Sequence, residues 1–283
     1  MNTLHVIMTL SMPLFVFSLR TGLPLPFDPC NRRPVDPQTL KPDQMTVLIN
    51  GYSVHRIPLL HSIATTYAAS SSVAAVIILW GNPSTPPQIL SNLSHNLTVS
   101  STTPITVLRQ PSASLNLRFY PHNSITTRAV VICDDDIEPD TDSINFAFNS
   151  QKYSIVLTKF LILALNYLHI YTCKMDYAQL KVHVDEMNNC EDILMNFVVA
   201  EERVRDWGDA RNEGEGREER DVGLSSRKSE HRKRRGECIS EFHRLLGKMP
   251  LRYSYGKVMD AIREQGLCEK AGKLVYCDKQ ILS

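Results

Sequence analysis

Four short apolar runs mark the first half of the chain, each closed by polar or turn-forming residues. Met45-Thr46-Val47-Leu48-Ile49 ends in Asn50-Gly51, and Val73 to Trp80 ends in Gly81-Asn82-Pro83. Pro104 to Leu108 is the third, and Ala129-Val130-Val131-Ile132-Cys133 runs into Asp134-Asp135-Asp136. The runs are continuous rather than alternating, the pattern of strands buried on both faces. Between the first two, Leu59, Leu60, Ile63 and Tyr67 recur at helical spacing. Strands separated by helical or loop segments predict an α/β fold around a doubly wound, mostly parallel sheet flanked by helices. Such sheets take ligands beyond the carboxyl ends of their strands. Asn50-Gly51-Tyr52, Gly81-Asn82 and the three aspartates are expected there.

Further along, Tyr153 to Tyr171 is apolar but interrupted by Lys159, Asn166 and His169. A lysine in mid-bilayer costs about 2.5–3.5 kcal/mol, so a buried strand–helix pair is expected rather than a membrane span. Ile193 to Phe197 reads as an amphipathic helix. Glu201 to Glu237 is dominated by charge and glycine and reads as a solvated, mobile loop carrying Arg232-Lys233-Arg234-Arg235. Helical spacing resumes from Cys238, through Ile239, Phe242, Leu245 and Leu246, with Gly247 as a stop signal. No internal repeat is present.

Upstream of the first run, prolines at 24, 26, 29, 34, 37 and 42 make residues 21–44 a stem or linker. Residues 1–20 are apolar and carry no Lys or Arg before Arg20. The run is short for a span and contains Pro13. A signal or membrane-anchor segment and a buried N-terminal segment stand as equal readings. The expected organisation is therefore a possible leader at 1–20, a stem at 21–44 and one large domain over 45–283.

Composition narrows the class without choosing within it. With 283 residues, 43% hydrophobic and 22% charged, the chain is globular, not disordered, collagenous or multi-spanning. Lys and Arg number 31 against 30 Asp and Glu, for a net charge of +1. No global basic field draws in nucleic acid, and no nucleic-acid partner is expected. The cysteines show no zinc spacing, and their odd count of 7 leaves at least one thiol free. Pairing in a secretory compartment and reduction in the cytosol are both open. Two glycosylation sequons, Asn92-Leu93-Ser94 and Asn96-Leu97-Thr98, shift the balance toward the secretory pathway.

Asp134-Asp135-Asp136 is the sharpest candidate for chemistry. Adjacent carboxylates repel unless a cation neutralises them, and a hard divalent ion with oxygen ligands would do so and then hold a phosphate. An exposed acidic turn is the alternative. Glu191 and Asp192, at the head of a helix, either complement its dipole or aim a carboxylate at a substrate. The basic run through Arg235 either faces solvent or meets a phosphate.

Taken together, these segments resemble a known family. Met45 to Arg56, Ile77 to Pro83, Ser114-Leu115-Asn116-Leu117-Arg118-Phe119 and Val130 to Asp136 resemble the exostosin-type glycosyltransferase domain, family 64. Asn189-Cys190-Glu191-Asp192-Ile193-Leu194-Met195-Asn196-Phe197 resembles its second signature. Val204 to Asn212 and the tail through Cys277 are similar to its plant branch, which mannosylates glycosylinositol phosphorylceramide. The resemblance implies a GT-A fold, a nucleotide-sugar donor with GDP-mannose foremost, Mn²⁺ as cofactor, a glycolipid acceptor and a lumenal catalytic domain at the Golgi membrane. A UDP-sugar-dependent N-acetylhexosaminyl transferase is the near alternative. It also implies roles: Asp136 as metal ligand, Asp134 and Asp135 on the nucleotide and sugar, and Arg56, Asn82 and Arg118 on the nucleotide. Asp192, with Glu191 beside it, would face the sugar and acceptor, with retention of configuration. Arg235 would sit near the diphosphate, and Cys190 would pair with Cys238.

Three departures accompany the resemblance. Between Asn145-Phe146-Ala147-Phe148 and Lys152-Tyr153-Ser154, the family has a strand and helix where this chain has only Asn149-Ser150-Gln151. Phe197 to Glu202 runs almost directly into Arg203-Val204-Arg205-Asp206, without a further short segment. Ala113 stands where animal members have an asparagine. The chain is thus read as shortened near 149–152 and 200–203, and a catalytically dead variant acting as an interaction module is the rival of another class.

Overall fold

A computed structural model of the chain describes residues 28–31, 35–136, 148, 155–156, 161–207, 228–251, 267–270 and 273–276. Residues 1–20, with the expected leader, and 149–152, with the first expected gap, lie outside this set.

Four strands form the parallel part of the main sheet: β1 (Lys41–Gly51), β2 (Val73–Trp80), β3 (Ile105–Arg109) and β4 (Thr127–Asp134). Two more, β5 (Ile155–Val156) and β6 (Leu161–Ala164), complete the order β3-β2-β1-β4-β6-β5. β6 pairs antiparallel with β4 and with β5. All four apolar runs read from sequence are strands of one sheet. β1 is longer than its run because Lys41 N–H donates to Thr126 C=O at 2.9 Å and pairs opposite Thr127. Its register with β4 shifts between Lys41 and Met45, around Pro42, which has no N–H to give the ladder.

Helices cover both faces. α1 (Ile57–Ala68) and α2 (Pro87–Ser100) lie on one side, with Leu60, Ile63, Tyr67, Leu93 and Leu97 packed against Val47, Ile49, Val76, Ile78, Val131 and Cys133. The other face holds Leu48, Ile77, Leu79, Val130, Ile132, Leu161 and Leu163. It is covered by α3 (Leu165–Cys173), α4 (Ala178–Met187), α5 (Glu191–Trp207) and α6 (Lys228–Leu246). Alternate residues of each strand thus feed opposite cores, which is why the runs lack an alternating pattern. Each fully buried Leu or Ile contributes about 1.5–3 kcal/mol relative to exposure. A separate two-stranded sheet pairs β7 (Leu267–Lys270) antiparallel with β8 (Lys273–Tyr276).

Several expectations are corrected or sharpened. The stretch from Glu201 to Glu237 is not one solvated loop: α5 runs through to Trp207, and α6 begins at Lys228, so the basic run is helical. Arg, Lys and Glu are good helix formers. Glu201 is buried between two lysines, and Cys238 is tied by a disulfide, so these flanks dock on the core. The apolar stretch ending at Tyr171 contains β6 and α3. Among the described residues, no helix is long and apolar enough to cross a membrane. Among the described residues there are two disulfides, Cys30–Cys173 and Cys190–Cys238, and Cys133 is a buried free thiol. The first fastens the described start of the proline-rich stretch to α3.

The Glu201 site makes the acid limb of stability testable. Its carboxylate accepts from Tyr177 Oη at 2.8 Å, Lys248 Nζ at 2.9 Å and Lys174 Nζ at 3.1 Å. Burial alone would raise its pKa, but these donors outweigh that and hold it at about 2, below the usual 4.5. A depressed folded-state pKa adds stability that is complete above pH 4.5 and declines as pH falls toward 2. Glu201→Gln should flatten that limb of a melting-temperature profile; an unchanged profile would refute the assignment.

Candidate active site

The strand order reverses between β1 and β4, because β1 continues outward to β2 and β3 while β4 leads the other way. That topological switch point is where open parallel sheets hold ligands, beyond the carboxyl strand ends. Asn50 pairs opposite Asp134, and Gly51 opposite Trp80, so the polar ends of three strands align. Gly51 allows the close approach: a Cβ there would stand 2.9 Å from the Trp80 ring.

The three aspartates diverge as they leave β4. Asp135 turns inward, with its side chain 6% exposed, and accepts from Arg56 Nη1 at 2.7 Å. Asp134 and Asp136 are each 46% exposed. Arg56 also faces Asp136 at 3.6 Å. The hydrogen bond from Arg56 to Asp135, with their opposite charges, raises the guanidinium pKa further above its already high value.

Arg118 joins this group to the helical side. It lies on the 3₁₀ turn Leu115–Phe119 and is largely buried, contacting Asp134 at 3.2 Å and Glu191 at 3.0 Å. Burial opposes its charge, but Glu191, Asp134 and Asp192 outweigh that and raise its pKa. Glu191 is pushed upward by burial, and Arg118 offsets part of the rise. Arg118 Nε is buried with no hydrogen-bond partner among the described residues.

Glu191 and Asp192 open α5 directly after a tight turn. Asn188 caps α4 with φ of 47°, and Cys190 has φ of 76°. Asn tolerates the left-handed region; a cysteine there costs about 1–3 kcal/mol. The Cys190–Cys238 bridge links this strained residue to α6. Arg235, one turn before Cys238, donates to both Asp192 oxygens at 3.1 and 2.9 Å. The pairing expected for Cys190 is therefore present, and it brings Arg235 to Asp192.

Arg56, Arg118, Asp134, Asp135, Asp136, Glu191, Asp192 and Arg235 form one connected constellation. Asn82 stands apart from these contacts: its Oδ1 accepts from Ser84 N–H at 2.9 Å and shapes the turn after β2. Sequence reading missed the support beneath Arg118. Asn116 Nδ2 donates to Lys181 C=O at 2.9 Å and Asp185 Oδ1 at 2.8 Å, and Tyr171 Oη donates to Asn116 Oδ1 at 2.5 Å. Ser114 Oγ caps the turn by accepting from Asn116 N–H and donates to Asp185. The Ser-x-Asn spacing was the available signal for that turn.

Five carboxylates face three guanidiniums, an excess of two negative charges. Among the described residues, no group of three or more His, Cys, Asp or Glu side chains converges as a metal cage. Chemically, the site offers cationic donors for an anion beside carboxylates able to orient hydroxyls.

Comparison with known proteins identifies the class. The model of the Glycosyl transferase family 64 domain matches residues 45–150 and 149–262, and the chain belongs to that family. It is therefore a glycosyltransferase-family protein, for which a nucleotide-sugar donor and a glycan acceptor are the class of partners. Glycosyltransferase family protein 64 C3 of Arabidopsis thaliana is 50% identical over 305 aligned positions, covering 92% of each chain. That alignment is longer than the 283 residues here, so the relative has segments without a counterpart in this chain. Glycosylinositol phosphorylceramide mannosyl transferase 1 of Arabidopsis thaliana is 27% identical over 76% of each. Exostosin-1 of Bos taurus is 29% identical, over 66% of this chain and 29% of its own length.

Proposed function

We propose that the chain is a metal-dependent, retaining glycosyltransferase of GT-A type. It moves mannose from GDP-mannose onto a glycosylinositol phosphorylceramide glycan in the Golgi lumen. The observation that carries this reading is the constellation at the β1/β4 switch point, where three arginines and five carboxylates meet. The distant likeness to a plant glycosylinositol phosphorylceramide mannosyl transferase supports the donor and acceptor. Two disulfides support the lumen, because such bonds persist in oxidising compartments.

The residues fit Mn²⁺ in charge and chemistry. Asp136 presents a half-exposed hard oxygen ligand at the mouth of the site, and the excess of two negative charges suits a divalent ion. When bound, the ion would supply positive charge to offset the negative charge developing on the leaving diphosphate. Arg56, Asn82 and Arg118 bind the nucleotide, with Arg118 Nε as a donor awaiting a partner. Asp134 and Asp135 fix the nucleotide and sugar. Sugar transfer builds negative charge on the leaving group, so Arg235 moves from Asp192 toward the diphosphate and binds it most strongly in the transition state. Asp192, released, orients the acceptor hydroxyl on the face the diphosphate leaves, with Glu191 beside it.

Thermal unfolding of the full chain tests the donor half. GDP or GDP-mannose with Mn²⁺ should raise the melting temperature, by about 2.7 kcal/mol of stabilisation at a hundredfold excess over Kd. UDP should not, and Asp136→Ala should remove the Mn²⁺-dependent gain. Stabilisation by UDP in place of GDP would instead select the exostosin-like N-acetylhexosaminyl reading. Nucleotide binding without sugar transfer would select a catalytically dead variant, for which the shortening near 149–152 and 200–203 is the motive.

A further inference from the structure

The two sequons of α2 are not accounted for by catalysis. Asn92 and Asn96 lie one helical turn apart on the exposed side of α2, while Leu93 and Leu97 between and after them are buried against the sheet. Both asparagines line an open cleft between α1 and α2, together with Ile57, Pro58, His61, Ile89 and Leu93. A group attached to either side chain would leave the core untouched. The Cys30–Cys173 and Cys190–Cys238 bridges point independently to an oxidising compartment, where such bonds persist and sequons meet the glycosylation machinery.

We infer that α2 is an N-glycosylation site carrying one glycan, borne by Asn96. In the reaction, the Asn96 amide nitrogen attacks C1 of a sugar on a lipid diphosphate-linked oligosaccharide. The N–C1 bond forms, the C1–O bond to phosphate breaks, the lipid diphosphate leaves, and the amide gives up one proton. The reaction precedes folding, because in the folded helix Thr98 Oγ donates to Ser94 C=O at 2.8 Å and the neighbouring leucines are packed. Only one asparagine is used per chain: the two acceptors are four residues apart, so a branched glycan on one blocks the transferase from the other, and the helix that then forms, with Cβ atoms four apart about 5–6 Å from each other, would crowd two glycans. Threonine completes the Asn96 sequon, so Asn96 is the first acceptor and Asn92 the substitute.

The test is mass spectrometry of the full chain expressed in plant cells, with peptides spanning 87–100 analysed before and after enzymatic deglycosylation. One glycan per chain on Asn96 is expected. Asn96→Gln and Thr98→Ala should both move the glycan to Asn92, and Asn92→Gln with Asn96→Gln should abolish it. Thr98→Ala keeps Asn96 itself, so it separates the acceptor role from any packing role of the asparagine. A chain recovered with both asparagines unmodified overturns the inference, and two glycans on one chain overturn the exclusion between the sites. Thermal melts of the unglycosylated double variant show whether it folds, so loss of the glycan is not mistaken for loss of the protein.

Discussion

Replacing Arg118 by methionine should cost about 3–5 kcal/mol of folding stability, the usual penalty for breaking a buried pair from one side. Arg118 is 15% exposed, Glu191 10%, and both Glu191 and Asp134 lean on the same guanidinium. Its removal leaves a buried carboxylate without a counter-charge, and burial already pushes the Glu191 pKa upward. Glu191→Gln in the same background should recover part of the loss, because it removes the stranded charge. Denaturant unfolding of the two single variants and the double variant measures this directly. A loss below about 1 kcal/mol for Arg118→Met would mean that the pair behaves as a surface ion pair.

Asp192→Asn should do the reverse, leaving the fold almost intact while removing sugar transfer. Its partner Arg235 is 33% exposed and Asp192 36%, so the pair contributes about 0–1 kcal/mol. The melting temperature should therefore move little. If Asp192 orients the acceptor beside the leaving diphosphate, kcat should fall by about 10²–10³, the scale for losing one preorganised polar group. Nucleotide binding should persist, since Arg235 is freed rather than lost. A variant with wild-type kcat would remove Asp192 from the chemistry and leave it as the counter-ion that parks Arg235.

These two residues illustrate what could be read from sequence. The parallel sheet was legible because burial on both faces writes itself as uninterrupted runs such as Val73 to Trp80. The placement of Asp134 to Asp136 at a ligand-binding strand end followed from the same reasoning. The family resemblance set Arg235 near the diphosphate and Asp192 at the sugar, but the contact between the two was not foreseen, because it spans 43 positions and is brought about across a disulfide. Glu201 was hidden by its neighbours: a carboxylate in a charged stretch looks solvated, and its partners Lys174 and Lys248 lie 27 and 47 positions away. The Asn116–Asp185–Tyr171 support was hidden for the same reason, since nothing local marks a side-chain network between a turn and two helices. The helical state of the basic run was misjudged because charge density argues for exposure, and exposure is compatible with helix as well as with loop.

The Cys190–Cys238 bridge also bears on how this protein can change over evolutionary time. It clamps the middle of α6, which carries Arg235, to the head of α5, so the guanidinium's position is set by the clamp and not by the path of the chain between Trp207 and Lys228. Closing a longer connection adds only about 0.6 kcal/mol per doubling of its length. Insertions and deletions in that stretch should therefore be nearly neutral for Arg235, whereas loss of either cysteine should not be.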